Sequence, residues 1–474
     1  MAEYSDRKDR SVTTWWQVTG DLAKYILSQE LTHLDDWGGK EVVRDILPEV
    51  FQKNFDMIQT DLINCILEEK NKRTAMAFAE NITKWGEWLH AQLDEGKKVV
   101  YHYFIHTVEP LLALDLAPIC FEVLSGLTSA LYTDGCEEGI DALEAEGYPD
   151  HLCSSNKGAA GYLLKGYIPQ PAAFLKGTAP CDTSNRVYEW AAHKFNVPLI
   201  VVEAPYYMNE RAHRYLTDEV KRMIGKLEKI AGKKLDEDKL RHYIQLSNEA
   251  VDYIAKIQEL RKMVPCPDTG WHRPADTIFT AQLGTPFARD YFKALYEIVK
   301  ERADKGQGVI PEGKKEVRLA WGYTWECFDL PFFNWLENKH GAIYTEDTLT
   351  YFPMDTEMID TTNMETMLAG LARRMMQMPM ARQVMSFSDV WIKDFVDISR
   401  AYKVDALAIG GHMACKHFWA LNKLLTDKVK EKTGVPTLRF EMDMMDKRFT
   451  SPAELKRIMD DFFATLRAPI LQRT

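Results

Sequence analysis

Cys153, Cys181 and Cys415 each sit where a glycine-punctuated or β-branched segment hands over to a helical pattern. None has the short Cys/His spacing of a familiar structural zinc site, so joint chemistry requires the fold to assemble it. Thiolates are soft donors, and a thiolate at a helix start is stabilised by the dipole and the free N–H groups there. The placement therefore points to a redox-type cluster rather than to a local metal clip. A competing zinc reading uses His412, Cys415 and His417, which lie close in sequence but show no evident fourth ligand.

The elements that must position these cysteines recur. Around Cys181 an apolar run, Ala172 to Leu175, precedes the cysteine; a helical stripe (Val187, Trp190, Ala191, Phe195) and the segment Val197-Pro to Glu203 follow it. Around Cys415 the order is Val404 to Ile409, Gly410-Gly411, the cysteine, a helical stretch to about Lys432, and Val435-Pro to Glu441. This is a duplicated β-Cys-α-β unit, which predicts an α/β fold with two similar Rossmann-like or flavodoxin-like lobes built on parallel sheets. Loops at the carboxyl ends of such strands open toward the ligand crevice, so cysteines from both lobes can face one cleft.

Composition sets the class. A chain of 474 residues, 46% apolar and 27% charged, has the length for two or three domains with real cores. A net charge of -11 argues against nucleic acid, which demands a basic face. No uncharged stretch approaches the ~18 apolar residues of a membrane span, and the polar start shows no apolar signal core, so the expected compartment is the cytoplasm. Eight cysteines in that compartment argue against a disulfide framework.

Along the chain, residues 1–95 read as mostly helical, with one stripe through Trp15, Trp16, Val18, Leu22, Tyr25 and Ile26 and another through Phe51, Phe55, Ile58, Leu62 and Ile66. Residues 96–215 form a first α/β lobe that begins with a strand near Lys97 to Phe104. Residues 216–312 read as a helical insertion and linker: the helical spacing from Ala212 to Val264 predicts an antiparallel hairpin, and Lys305 to Lys315, with three glycines and a proline, is the linker candidate. Residues 313–474 form the second lobe, with strands at Val317 to Gly322 and Gly341 to Tyr344. Nine of the 20 methionines fall between Met354 and Met385, a pattern read as helix core filler or as an adaptable cleft wall.

The segment His151-Leu-Cys153-Ser-Ser-Asn-Lys-Gly-Ala-Ala-Gly161, followed by Tyr167-Ile-Pro169 and Ala179-Pro-Cys181-Asp182, resembles the 2-hydroxyacyl-CoA dehydratase and benzoyl-CoA reductase superfamily, in particular the 2-hydroxyglutaryl-CoA dehydratase D-component family. The later segments Val404 to Cys415-Lys416 and Gly434-Val-Pro436 to Arg448 are similar to the same family, and the resemblance runs from about Lys97 to Phe463. It implies that Cys153, Cys181 and Cys415 hold a [4Fe-4S] cluster with one iron lacking a protein thiolate. It places Glu122 near the acyl group as a proton carrier, with a pKa that burial would raise. His106 stands near a small hydrogen-bonding residue of the dehydratases, a departure from the pattern, and His412 and His417 flank the third ligand. Lys416 is a solvated lysine or a phosphate contact. Cys65, Cys120, Cys136, Cys266 and Cys327 are expected only to pack.

The implied function is an ATP-activated, oxygen-sensitive 2-hydroxyacyl-CoA dehydratase, a carbon–oxygen lyase. One electron passes to the thioester carbonyl, and the ketyl radical expels the 2-hydroxyl. The enoxy radical then loses a β-proton and yields the 2-enoyl-CoA. Glu122, His106 or His412 would handle protons. Partners implied are the acyl-CoA substrate, a related second cluster-bearing subunit, and a separate ATP-hydrolysing iron–sulfur activator. The chain itself has no Gly-x-x-x-x-Gly-Lys-Ser/Thr loop. Two alternatives keep the fold. One is a benzoyl-CoA reductase-type subunit, with Trp321, Trp325, Phe328, Phe332, Phe333 and Trp335 as candidates to line an aromatic pocket. The other is a noncatalytic partner that binds a cluster or CoA ester.

Overall fold

β-Branched and apolar runs on either side of the helical middle form two four-stranded sheets, both entirely parallel. In this computed structural model, residues 8–179, 181–353 and 355–471 are described, with side chains to Leu466. The first sheet contains β1 (Val99–His102), β2 (Ala117–Cys120), β3 (Ala173–Gly177) and β4 (Leu199–Val202), in the order β2-β1-β3-β4. The second contains β5 (Val317–Trp321), β6 (Ala342–Asp347), β7 (Ala406–His412) and β8 (Thr437–Met442), in the order β6-β5-β7-β8. The orders are the same once each strand number is advanced by four, as the repeated cysteine unit predicts. In each sheet the chain reverses its direction of travel between the first and third strands of the lobe. The crevice for a ligand lies there, at the strands' carboxyl ends.

β2 is a strand that patterning does not announce, because it is four residues long and contains Pro118. Proline has no N–H to give a ladder, but β2 lies at the sheet edge, where that loss is tolerated. In the N-terminal region the first expected stripe forms the helix Ser11–Leu27, which packs on Glu69–Asp94 with Trp16 stacked on Trp85 at 5.1 Å. The second stripe is broken between Glu49–Met57 and Thr60–Leu67, where Ile58 bridges to Tyr132. The N-terminal helices and both lobes share one continuous apolar core.

The expected helical hairpin does not form. Glu210–Ala231 packs on Met364–Gln377 of the second lobe, whereas Glu237–Arg261 packs on Pro286–Asp304 and Glu109–Ala113. Each amphipathic helix buries its apolar face against another element rather than against the other helix.

A buried ionic network fixes the short helix Arg273–Thr280. Arg273 binds Glu346, Asp347 at 3.1 Å and Thr350 at 2.8 Å, while Arg261 reaches Asp268 at 2.6 Å. His272 lies between Asp268 and Asp276, at 3.0 Å from each. Burial alone would depress the His272 pKa, but these two carboxylates carry it up to about 10, so the ring is a cation within the network.

Candidate functional site

All three predicted cysteines are the residues immediately before a helix. Cys153 precedes Ser154–Lys165, Cys181 precedes Asp182–Lys194 and Cys415 precedes Lys416–Thr433. All three border one cavity of about 130 Å³ between the lobes, roughly ten times the space a single water needs. Glu122, His412 and the tyrosines Tyr103 and Tyr323 border it too. Tyr103 directly follows β1 and Tyr323 follows β5 by two residues, so the tyrosines, like Cys181 and Cys415, come from corresponding places in the two sheets.

Close glycine packing sets the position of Cys153. A Cβ on Gly161 would lie 1.7 Å from the Gly139 carbonyl oxygen, and one on Gly158 would lie 2.5 Å from Ser125 Oγ. The Cys153 helix therefore rests directly on the backbone of the preceding helix, Glu137–Ala145. The Ser154 hydroxyl donates to Asp443, beyond β8, which ties this helix to the second lobe. Lys416 makes an exposed ion pair with Asp182 at 3.0 Å. It joins the starts of two cysteine-bearing helices across the lobes.

Burial pushes all three thiols up, Cys415 to about 12, against local N–H groups that pull the other way. The Ser184 N–H donates to Cys181 Sγ at 3.3 Å, and the Cys415 thiol donates to the Tyr323 hydroxyl at 3.8 Å. His412 ends β7 and is buried. The Met444 N–H donates to its Nδ1 at 3.3 Å, which leaves Nε2 to carry the ring proton toward Cys153 Sγ at 3.2 Å. Burial lowers the His412 pKa, so the ring is a neutral donor.

Glu122 lies in the first turn of Phe121–Leu131, just after β2. Burial raises its pKa to about 7 despite hydrogen bonds from Tyr188, 3.1 and 3.2 Å from the two oxygens, and from the Cys120 thiol at 3.6 Å. None of these partners is charged. The carboxyl is thus poised to exchange a proton near neutrality.

His106 is placed differently. It is buried but absent from the cavity wall, beside the Lys176–Gly177 backbone; burial takes its pKa down to about 3. The zinc grouping is not assembled either. His412 turns to Cys153, His417 is exposed, and among the described residues no three His, Cys, Asp or Glu side chains form a single-ion site. Cys327, expected only to pack, also borders the cavity. Of the six aromatic pocket candidates only Trp325 reaches the wall, while Trp321, Phe332 and Phe333 pack against one another in the second lobe. Most of the methionine run is buried filler, but Met380 borders the cavity; Met354 lies outside the described residues.

Sequence reasoning missed Tyr188, Tyr323 and the wall Pro274 to Ile278, which the ionic network holds in place. Tyr323 and Met380 both border the cavity with positive backbone φ, 68° and 67°. Such strain costs about 1–3 kcal/mol per residue and concentrates at functional sites.

The 2-hydroxyglutaryl-CoA dehydratase, D-component family model matches residues 106–465. A benzoyl-CoA reductase subunit of Thauera aromatica is 24% identical over 397 residues, 78% of this chain and 89% of that protein. The (R)-phenyllactyl-CoA dehydratase alpha subunit of Clostridium sporogenes is 22% identical over 324 residues, covering 66% and 76%. The alpha subunit of lactoyl-CoA dehydratase from Anaerotignum propionicum is 22% identical over 346 residues, covering 68% and 79%. Among the described residues no helix is long and apolar enough to cross a membrane. The chain belongs to the 2-hydroxyglutaryl-CoA dehydratase D-component family, whose members include dehydratase-type enzymes acting on acyl-CoA esters.

Proposed function

We propose that this chain is the iron–sulfur subunit of an ATP-activated 2-hydroxyacyl-CoA dehydratase, which removes water through a substrate ketyl radical. The observation that carries the reading is the meeting of Cys153, Cys181 and Cys415 at one cavity with Glu122. The donor set fits a polynuclear cluster: three soft sulfurs border one space. A [4Fe-4S] cluster held there would supply a low-potential electron and an iron open to a substrate oxygen.

The chain's own groups account for the rest. Glu122, with a pKa near 7, takes the β-proton once the neighbouring carbon has become acidic, and Tyr188 orients the carboxyl through its hydroxyl. His412 donates to Cys153 Sγ and so stabilises negative charge on that sulfur. The apolar wall around Val123, Ile278 and Leu330 excludes water from the radical. His106, off the wall, has a supporting place behind the loop that leads to Cys181. By analogy with relatives named as alpha subunits, a second related subunit completes the enzyme, and a separate iron–sulfur activator hydrolyses ATP.

Anaerobic iron and sulfide quantification with electron paramagnetic resonance on the wild type and on Cys153→Ala, Cys181→Ala and Cys415→Ala tests the ligand set. Each substitution should remove most of the iron, and retention in all three would overturn the assignment. The likeness to a benzoyl-CoA reductase subunit favours a second reading, reduction of an aromatic acyl-CoA. A dehydratase turns over many substrate molecules per injected electron, whereas a reductase consumes electrons in step with product.

A further inference from the structure

We infer that the acyl group accepted at this cavity carries an uncharged apolar side chain, alkyl or aryl, and not the second carboxylate that the family's description names. The inference rests on the reading of the cavity as an acyl-thioester site and narrows its substrate class. Away from the cysteines the wall is built from Val123, Gly126, Ala130, Ile278, Leu330 and Met445. The first three lie on one face of Phe121–Leu131, at spacings of three and four residues. Among the described residues lining the cavity there is no lysine or arginine.

The polar groups of the wall do not replace a cation. The Thr277 hydroxyl donates to the Pro274 carbonyl at 2.6 Å and the Thr324 hydroxyl to the Gly410 carbonyl at 3.1 Å. His412 is engaged by Cys153 and Met444. Asn156 lines the cavity with a buried, unpartnered Oδ1, but its carboxamide carries no charge. A distal carboxylate would therefore be buried without a counter-ion, and beside Glu122 it would meet a second acid. An alkyl or aryl group set against Val123, Ala130 and Ile278 meets apolar surface, and Gly126 leaves room for it: a Cβ there would sit 3.5 Å from Met445 Cε, in ordinary contact.

The test measures binding, so it does not depend on turnover. The full chain, purified anaerobically with any subunit that copurifies, is titrated calorimetrically with 4-methylpentanoyl-CoA, glutaryl-CoA, propionyl-CoA, 3-phenylpropionyl-CoA and free CoA. Glutaryl-CoA should bind at least about 100-fold more weakly than 4-methylpentanoyl-CoA. Gly126→Leu should weaken 3-phenylpropionyl-CoA about tenfold or more while changing propionyl-CoA little. Equal or tighter binding of glutaryl-CoA would overturn the inference and leave the acyl-thioester reading standing. If no ester binds more tightly than free CoA, the acyl-thioester reading itself falls. If Gly126→Leu does not fold, Ala130→Leu serves the same comparison, and the wild-type ratio decides independently.

Discussion

The second strands of the two lobes both lead into carboxylates, and the two sets meet different fates. After β2, Glu122 faces the cavity with Tyr188 and Cys120 as its side-chain partners among the described residues, and burial lifts its pKa to about 7. At the end of β6, Glu346 and Asp347 are clamped by Arg273, and their segment becomes scaffold. The lesson is that strand order fixes where a side chain stands, while the charge of its neighbours decides whether it titrates or braces. The cysteines repeat the contrast. Cys181 and Cys415 occupy corresponding positions after β3 and β7, whereas Cys153 comes from a glycine-packed helix pair in the first lobe.

Removing the clamp should have the largest effect. Arg273→Met leaves Asp347 buried without its cation and Glu346 with only the more distant Arg261, at 3.9 Å, among the described residues, and should cost about 3–5 kcal/mol in urea unfolding. In the other lobe, Gly161→Val pushes side-chain atoms into the Gly139 carbonyl. It should cost about 3 kcal/mol or more, with loss of iron, because the Cys153 helix must move.

Glu122→Gln probes the free carboxyl. Since burial raises its pKa from 4.5 to about 7, the folded protein holds a proton that the unfolded chain releases. The associated stability is fully present below pH 4.5 and is lost as pH rises through about 7. Wild type should therefore lose up to about 3 kcal/mol relative to Glu122→Gln over that window in pH-resolved unfolding. Activity should rise with pH to a plateau above about 7, fall by about 10²–10⁴-fold in Glu122→Gln, and require higher pH in Tyr188→Phe, which loses a bond to the ionised carboxylate.

His412→Phe removes the donor to Cys153 and should weaken iron retention by about 10–100-fold, measured by chelator challenge. The smallest effect belongs to the exposed pair that links the lobes. Lys416→Gln should change stability by less than about 1 kcal/mol, and salt should abolish even that difference.

Much of the sheet scaffold was legible because β-branched runs and the Val-Pro starts repeat at corresponding places. The helix-start placement of Cys181 and Cys415 was legible because each stands at a strand-to-helix handover that local pattern reveals, whereas Cys153 stands between two helices and was marked by the likeness of its segment to the family. β2 was hidden by its length and by Pro118, and the helical hairpin failed because periodicity names an apolar face without naming its partner. Tyr188 and Tyr323 carried no motif: each borders or serves the site only through the turn of a helix or a left-handed backbone. His106 looked like a site residue by its place in the chain, yet its side chain lies behind the wall.

Two lobes, parallel strands and thiols at helix starts follow from the order of residues alone, since propensity and hydrophobic spacing act over a few residues at a time. It took the folded chain to bring the thiols into one space with Glu122, to set Arg273 against the opposing carboxylates, and to keep lysine and arginine off the cavity wall among the described residues. Those outcomes depend on distance and desolvation between segments hundreds of residues apart, which no local pattern encodes.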